Sequence, residues 1–148
     1  MKNIKGSGDS GFTLIELLVV IVILGLLAAV IAPNILGRAD DAKFTKAITD
    51  IQALSTALSM YKLDNGIYPD TEQGLQALIE APTSGTLPRK WRKGGYLQAR
   101  TIQKDPWHND YVYICPGAHG DFDISAYGGD GMVGGEDNNR DVNSWDTE

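Results

Sequence analysis

The sequence predicts an α+β fold in which a small antiparallel β-sheet packs on one long N-terminal α-helix. Three observations support this prediction. The segment from Leu17 to Gly37 holds no charged side chain, and residues 48–61 then place apolar side chains three and four positions apart. Two β-rich runs, 111–115 and 122–127, follow nearer the C-terminus. A long helix followed by short consecutive strands is typical of the α+β class.

The first part of the predicted helix has the length and apolarity of a membrane span. At about 1.5 Å per residue, Leu17 to Gly37 covers a bilayer core of about 30 Å. Lys2 and Lys5 precede it, and a basic flank of this kind keeps the N-terminus cytoplasmic. We therefore expect a single membrane-spanning segment at residues 12–37, with the rest of the chain on the opposite side of the membrane.

Glu16 is the one carboxylate at the start of this apolar segment. Ionisable groups inside membrane segments are costly, so the default interpretation of such a residue is functional. We expect Glu16 to have a partner outside the chain, which makes the protein a subunit that associates through its membrane helix. The alternative is a plain signal-anchor in which Glu16 lies at the level of the lipid headgroups.

The second part of the helix is amphipathic. Pro33 interrupts the helix by removing a backbone donor, and helical periodicity then resumes. A single apolar stripe predicts the face that packs on the sheet. Its members are Ile48, Ile51, Leu54, Leu58 and Tyr61. Asp64-Asn65-Gly66 supplies the stop, because Asn and Gly tolerate the left-handed conformation of a helix end. One kinked helix is thus predicted from Phe12 to Leu63.

The segment beyond this helix predicts a second, short helix and a buried thiol. Asp70 lies three residues before Gln73, which is the spacing of a capping box. Three apolar side chains form the buried face of the short helix, namely Leu75, Leu78 and Ile79. Cys115 is the only cysteine and lies in a strand pattern, so we expect a free, buried thiol.

Composition argues against nucleic-acid binding and against catalysis. The chain has 19 acidic and 13 basic side chains, a formal net charge of −6, whereas a nucleic-acid-binding domain shows a basic stripe. His108 and His119 are the only histidines, and neither has a nucleophile at a recognisable spacing. We expect both to be surface loop residues and the protein not to be an enzyme. The three tryptophans are expected to be packing anchors at loop ends. For Trp91 the alternative is a patch between subunits, formed with Arg89, Lys90, Arg92 and Lys93.

The run Gly11-Phe12-Thr13-Leu14-Ile15-Glu16 resembles the type III signal of type IV pilins and pseudopilins. The resemblance implies that residues 1–11 are a leader, that prepilin peptidase cuts between Gly11 and Phe12, and that the new amine of Phe12 is methylated. A physical argument agrees with it. Cleavage would create a cationic amine at a helix N-terminus, and Glu16 of a neighbouring subunit would neutralise that charge in a medium of low dielectric constant.

The rest of the chain narrows the resemblance to the major pseudopilins of type II secretion. The residues that carry it lie in 61–69, 71–78, 94–97 and 105–107, together with the terminal Gly-Asp-Gly turn and Trp145. Type IVa pilins close their head with a C-terminal disulfide loop, which a single cysteine excludes.

This resemblance implies an inner-membrane subunit of a Gram-negative bacterium whose head, residues 38–148, faces the periplasm. Such subunits polymerise with one another into a pseudopilus that helps to drive folded proteins across the outer membrane. Their partners are further copies of the chain, minor pseudopilins, prepilin peptidase and an inner-membrane secretion platform. A structural subunit of a type IV pilus, used in adhesion or motility, is the main alternative, and an anchored binding protein is a third.

The acidic C-terminal stretch predicts a calcium site. From residue 117 to residue 148 there are eight Asp or Glu residues and one Arg, and oxygen ligands on a glycine-rich loop suit Ca²⁺. By resemblance, one structural Ca²⁺ binds two carboxylates and two backbone carbonyls, those of Asp130, Asp141, Tyr127 and Met132. Arg140 stands where some relatives have a further acid, so Glu136 or Asp137 is an alternative for that ligand. A solvated, disordered tail is the competing interpretation.

Overall fold

The computed structural model describes residues 11–146, apart from the side chains of residues 30–37. The described part contains one α-helix and three short strands: α1 (Leu14–Asn65), β1 (Val112–Ile114), β2 (Asp123–Ala126) and β3 (Val142–Asn143). It also contains 3₁₀ helices at Leu75–Leu78, Asp137–Asn139 and Ser144–Asp146. A long N-terminal helix and a small antiparallel sheet were predicted, and the α+β class is confirmed.

Helix α1 begins and ends two residues later than the sequence predicts. The helix continues through position 33, and the predicted kink at Pro33 lies outside the residues whose side chains are described. At its C-terminal end the amide of Gly66 donates to the carbonyl of Lys62 at 2.7 Å. Gly66 has a φ of +79°, the left-handed conformation for which glycine is suited. The predicted stop signal is therefore confirmed.

The chain divides into two compact units, Met1–Ala39 and Asp40–Glu148. In the first unit every described side chain from residue 11 to residue 29 is exposed, and Phe12 is 85% exposed. The predicted leader lies outside the described residues except for Gly11. A search of the residues that the structure describes finds no helix with both the length and the apolarity needed to cross a membrane.

The core of the second unit forms along the predicted apolar stripe of α1. Ile51, Leu58 and Tyr61 have no exposed surface, and Ile48 is half-buried at the edge of the stripe. Side chains of the sheet and of the short helix complete the same cluster, among them Leu78, Tyr113, Ile124, Ala126 and Val142. Full burial of one aliphatic side chain is favourable by about 1.5–3 kcal/mol, so this stripe holds the sheet on the helix.

The sheet has the order β1-β2-β3 with both pairs antiparallel. Tyr113 pairs with Ile124, and Ala126 pairs with Val142. All four residues of β2 are buried because β2 is the central strand. The first two strands were predicted. The third was not, because Val142 is a single apolar residue among acidic and amide side chains and gives no alternating pattern.

The short helix predicted after α1 is a 3₁₀ helix that begins only at Leu75, with no side-chain cap at Gly74 before it. The predicted hydrogen bonds of Asp70 and Gln73 are present: the Gln73 amide donates to Asp70 Oδ1 at 2.8 Å, and the Asp70 amide donates to Gln73 Oε1 at 3.1 Å. They close the turn that precedes the 3₁₀ helix. The prediction for Cys115 also needs correction. Cys115 is a free thiol but only half-buried. Strand β1 ends at Ile114, so Cys115 lies at the rim of the core, where its Sγ faces the Asp121 carbonyl at 3.5 Å.

Candidate functional site

Two groups of residues make up the candidate sites, and the first surrounds Glu16 at the start of α1. The carboxylate Oε2 of Glu16 accepts the Thr13 amide at 2.9 Å and the Thr13 hydroxyl at 2.8 Å. In return, Thr13 Oγ1 accepts the Glu16 amide at 3.3 Å. This reciprocal pair satisfies backbone donors that the first helical turn leaves without partners. Glu16 therefore caps its own helix.

Sequence reasoning missed Thr13, although the signal was present. The spacing Thr-x-x-Glu is that of a capping box. The prediction, however, gave Glu16 only a partner outside the chain. The cap uses one carboxylate oxygen, and Oε1 has no hydrogen-bond partner among the residues described. Phe12 and Glu16 are both exposed, so the structure leaves the predicted cleavage point and the acid accessible to other molecules.

The second group is the C-terminal loop, residues 127–146. This segment folds back on α1. The guanidinium of Arg140 lies over the Phe44 ring at 4.1 Å, and Asn138 Nδ2 donates to Asp40 Oδ2 at 2.7 Å. Trp107 contacts the same Phe44 ring edge-on, with 4.9 Å between centroids. Cation–π contacts of this kind are worth about 0.5–2 kcal/mol. The loop therefore follows an ordered path, which the interpretation as a solvated tail did not predict.

A tight turn beside the loop fixes its first residues. Asp105 is buried, and its Oδ1 accepts the amides of Trp107 at 3.0 Å and Asn109 at 2.8 Å. The side-chain amide of Asn109 then donates to the Gly128 carbonyl at 3.3 Å. A Cβ on Gly131 would lie 3.3 Å from Asn109 Oδ1, so this stretch of the loop packs closely on the turn. Asp105 and Asn109 thus place the start of the C-terminal loop.

The residues predicted to bind calcium all lie in this loop, in different environments. Asp141 is half-buried: its Oδ2 accepts the Gly134 amide at 2.8 Å, and its Oδ1 is buried with no hydrogen-bond partner among the described residues. Asp130 is exposed and accepts the Met132 amide at 3.1 Å. The Tyr127 carbonyl accepts the Gly131 amide at 2.9 Å. The structure therefore ties the Tyr127–Met132 turn together through its own backbone.

Glu136 and Asp137 form the exposed tip of the loop. Asp137 begins a 3₁₀ turn with a φ of +51°, and its carbonyl accepts the Arg140 amide at 3.4 Å. Arg140 itself points to Phe44. Within the described part of the chain, no group of three or more His, Cys, Asp or Glu side chains is arranged to hold a metal ion. A cation in this loop would therefore need backbone carbonyls as well as carboxylates.

His119 is an exposed loop residue, as predicted, but it also has partners that the sequence did not predict. Its Nδ1 lies 3.0 Å from Asp123 Oδ2, and its ring stacks on Trp145 with 3.8 Å between centroids and 15° between planes. Asp123 also accepts the Ala118 amide at 2.8 Å. Burial of Asp123 disfavours its charged form, but the hydrogen bonds from His119 and Ala118 outweigh that effect and lower the pKa of the carboxyl. Trp145 stacks on His119 but stays 36% exposed, so it packs at the surface of the head and does not anchor the core.

Comparison with known proteins identifies relatives across most of the chain. The family model for type II secretion system protein G matches residues 34–145, and the model for the prokaryotic N-terminal methylation motif matches residues 6–32. The type II secretion system core protein G of Pseudomonas aeruginosa is 52% identical over 138 residues, 93% of this chain and 96% of that protein. The protein of the same name from Vibrio cholerae is 50% identical over 140 residues, 95% of this chain and 94% of that protein.

A solved structure is also similar. The crystal structure of the major pseudopilin from the type 2 secretion system of enterohaemorrhagic Escherichia coli matches with a TM-score of 0.66 and 43% sequence identity. The match covers 77% of this chain and 96% of that chain. The long helix and the three-stranded sheet described above are therefore those of a pseudopilin.

Proposed function

This chain belongs to the type II secretion system protein G family, and on that premise we propose that it is the major structural subunit of a type II secretion pseudopilus. Subunits polymerise into a helical filament that helps to drive folded proteins across the outer membrane. The match of the family model to residues 34–145 is the observation that supports this function most directly, because it covers the head and not only the N-terminal signal shared with pili. The role is mechanical, and we propose no catalytic residue.

We propose that the chain is processed and anchored as its N-terminal motif implies. Prepilin peptidase removes residues 1–11, cutting between Gly11 and Phe12, and the amine of Phe12 is methylated. Residues 12–37 then anchor the subunit in the inner membrane of a Gram-negative cell, with the head, residues 38–148, in the periplasm. The methylation-motif match at residues 6–32 supports the processing, and the exposed apolar side chains from Phe12 to Leu27 need a lipid or protein environment.

The proposed partners follow from this role. Copies of the chain associate with one another, with minor pseudopilins and with an inner-membrane platform, and prepilin peptidase acts on the precursor. Glu16 contributes to assembly by pairing with the Phe12 amine of a neighbouring subunit. The cap on Thr13 occupies one carboxylate oxygen, and the other is available for that amine. The attraction between a buried amine and a buried carboxylate compensates for their desolvation only when the two groups meet. The pairing therefore fixes the axial displacement of one subunit relative to the next.

The test compares two substitutions of Glu16. Glu16→Gln keeps an oxygen that can cap Thr13 but loses the charge, whereas Glu16→Ala loses both. We expect both variants to be inserted and processed like the wild type and to form few filaments, which shear assays and electron microscopy would measure. Normal filaments from Glu16→Gln would contradict the charge pairing. Loss of protein secretion without loss of motility in a deletion strain would separate this function from that of a type IV pilus.

We also propose that the C-terminal loop binds one structural Ca²⁺. Asp141 and Asp130 would supply carboxylates, Tyr127 and Met132 backbone carbonyls, and Glu136 or Asp137 is an alternative further ligand. The buried Oδ1 of Asp141 supports the fit, since a buried carboxylate oxygen without a partner is costly and a cation would satisfy it. The bound ion would supply positive charge that holds the acidic residues of the loop together.

Thermal unfolding of the head fragment tests the calcium proposal. At a free Ca²⁺ concentration of 100 times Kd, binding stabilises the folded state by about 2.7 kcal/mol, an easily measured rise in Tm. We expect Asp130→Ala and Asp141→Asn to abolish the rise. Glu72→Gln, an exposed acid outside the loop, is the matched control and should respond like the wild type. No rise in the wild type, or the same rise with Mg²⁺, would reject the site.

A further inference from the structure

The basic loop, residues 88–95, has neither helix nor strand, yet buried polar groups fix its backbone. Asn65 is buried at the end of α1, and its Oδ1 accepts the Lys90 amide at 2.9 Å. Its Nδ2 donates to the hydroxyl of buried Tyr96 at 2.9 Å, and that hydroxyl also accepts the Arg92 amide at 3.2 Å. The indole of Trp91 donates to the Ala77 carbonyl at 2.9 Å. The loop is thus held at three separate points.

This fixed backbone presents four cations to solvent. Arg89, Lys90, Arg92 and Lys93 are all exposed. Arg92 has an internal partner, Asp64, at 3.2 Å, while the other three form no ion pair with any residue between 11 and 146. Like charges so close together repel one another, and the chain as a whole is acidic, with a net charge of −6. Because the backbone of this loop is already fixed, binding need not order it, and the four cations suit an anionic partner.

We propose that the basic loop docks on the acidic C-terminal loop of a second copy of this chain. A filament needs two different, mutually complementary surfaces on every subunit, because a head-to-tail contact repeats without closing. The C-terminal loop is the matching surface: Glu136, Asp137 and Asp146 are exposed, and the proposed Ca²⁺ would use at most one of these three carboxylates. The inference rests on the proposed function, since it names the contact that joins heads within the pseudopilus.

Carbodiimide cross-linking of filaments tests this contact. The reagent joins a lysine amine directly to a carboxylate that touches it. Filaments are assembled from equal amounts of ¹⁴N-labelled and ¹⁵N-labelled processed chain, residues 12–148. Contacts between subunits then give mixed-label peptides, whereas contacts within one subunit do not. We expect mixed-label links from Lys90 or Lys93 to Glu136, Asp137 or Asp146. Lys62–Asp121 at 2.7 Å provides an internal control that should link within one subunit.

The outcomes separate this inference from the function on which it rests. Mixed-label links from these lysines to acids elsewhere, or to another protein, overturn the inference, as does their absence when the control link forms. A wild-type chain that forms no filaments overturns the proposed function and the inference with it. As a second readout, the double substitution Arg89→Glu with Lys93→Glu should raise the concentration needed for assembly about tenfold, and more at low salt. Lys104→Glu, an exposed cation outside the loop, should change it far less.

Discussion

Replacement of Asp123 by asparagine should destabilise the head, because this carboxylate connects three elements. It begins β2, accepts the Ala118 amide at 2.8 Å, and lies 3.0 Å from His119 Nδ1, whose ring stacks on Trp145. The side chain of Asp123 is only 8% exposed. Asparagine has nearly the same shape, but only one of its two terminal groups is an acceptor oxygen. The other is an NH2 donor, and it would face the donors of Ala118 or His119. The substitution therefore removes charge and hydrogen bonds without creating a cavity.

The expected size follows from these contacts. A hydrogen bond to a charged group contributes about 1.5–3 kcal/mol, and the half-exposed imidazole favours the lower end because water screens its charge. We expect Asp123→Asn to cost about 1.5–2 kcal/mol near pH 5. At about 4 °C per kcal/mol for a domain of this size, Tm should fall by about 6–8 °C. Circular dichroism of the head fragment during heating would measure it.

The pH dependence gives a second check with a definite sign. The folded-state pKa of Asp123 lies below its ordinary value, so its contribution is present above the unfolded-state pKa, about 3.9, and is lost as the pH falls through the folded-state pKa. The Tm difference between wild type and Asp123→Asn should therefore shrink below about pH 4. Asp110→Asn, which removes an exposed ion pair with Lys104, should change Tm little at any pH. Equal effects of the two variants on Tm would refute the reasoning. An increase below about pH 4 in the Tm difference between wild type and Asp123→Asn would also refute it.

Two further substitutions test the loop and the core. Gly135 has a φ of +108°, and a Cβ there would lie 2.5 Å from the Asn139 carbonyl oxygen. Gly134 has a φ of +91°, but a Cβ there would meet open space. Gly135→Ala should therefore lower Tm more than Gly134→Ala, and equal effects would show that only backbone strain matters. Leu58 is fully buried, so Leu58→Ala should lower the free energy of unfolding, measured by urea denaturation, by about 2–5 kcal/mol. Leu63 is 83% exposed, so Leu63→Ala should change it by no more than about 0.5 kcal/mol. Similar costs for the two variants would contradict the assignment of the buried face.

Local signals in the sequence were sufficient for most of the fold. The stripe from Ile48 to Tyr61 predicted the buried face of α1, because burial on one side of a helix has to repeat every three or four residues. The Asp70 and Gln73 pair predicted two reciprocal hydrogen bonds that the structure contains, although they close a turn and the short helix begins only at Leu75. Such features depend on residues close together in the chain, and for that reason they are readable without coordinates.

The features that were missed depend on distant residues. Strand β3 exists because Val142 pairs with Ala126, a contact that no local pattern at position 142 reveals. His119 is exposed as predicted, but its stacking on Trp145 was missed because the two residues lie 26 positions apart. In the candidate calcium loop, sequence supplied the acidic residues, but the burial of one Asp141 oxygen and the contact of Arg140 with Phe44 required the folded chain. The calcium site itself stays a prediction.

The hydrogen bonds of Asn65 have a consequence for protein engineering. One amide side chain satisfies the Tyr61 carbonyl in the last turn of the long helix, through Nδ2 at 2.9 Å, and also holds the Lys90 amide. A substitution at this internal position would loosen a charged outer surface without altering any residue on it. Redesign of the contact between subunits should therefore substitute the exposed lysines and arginines of the basic loop and leave Asn65 and Tyr96 unchanged.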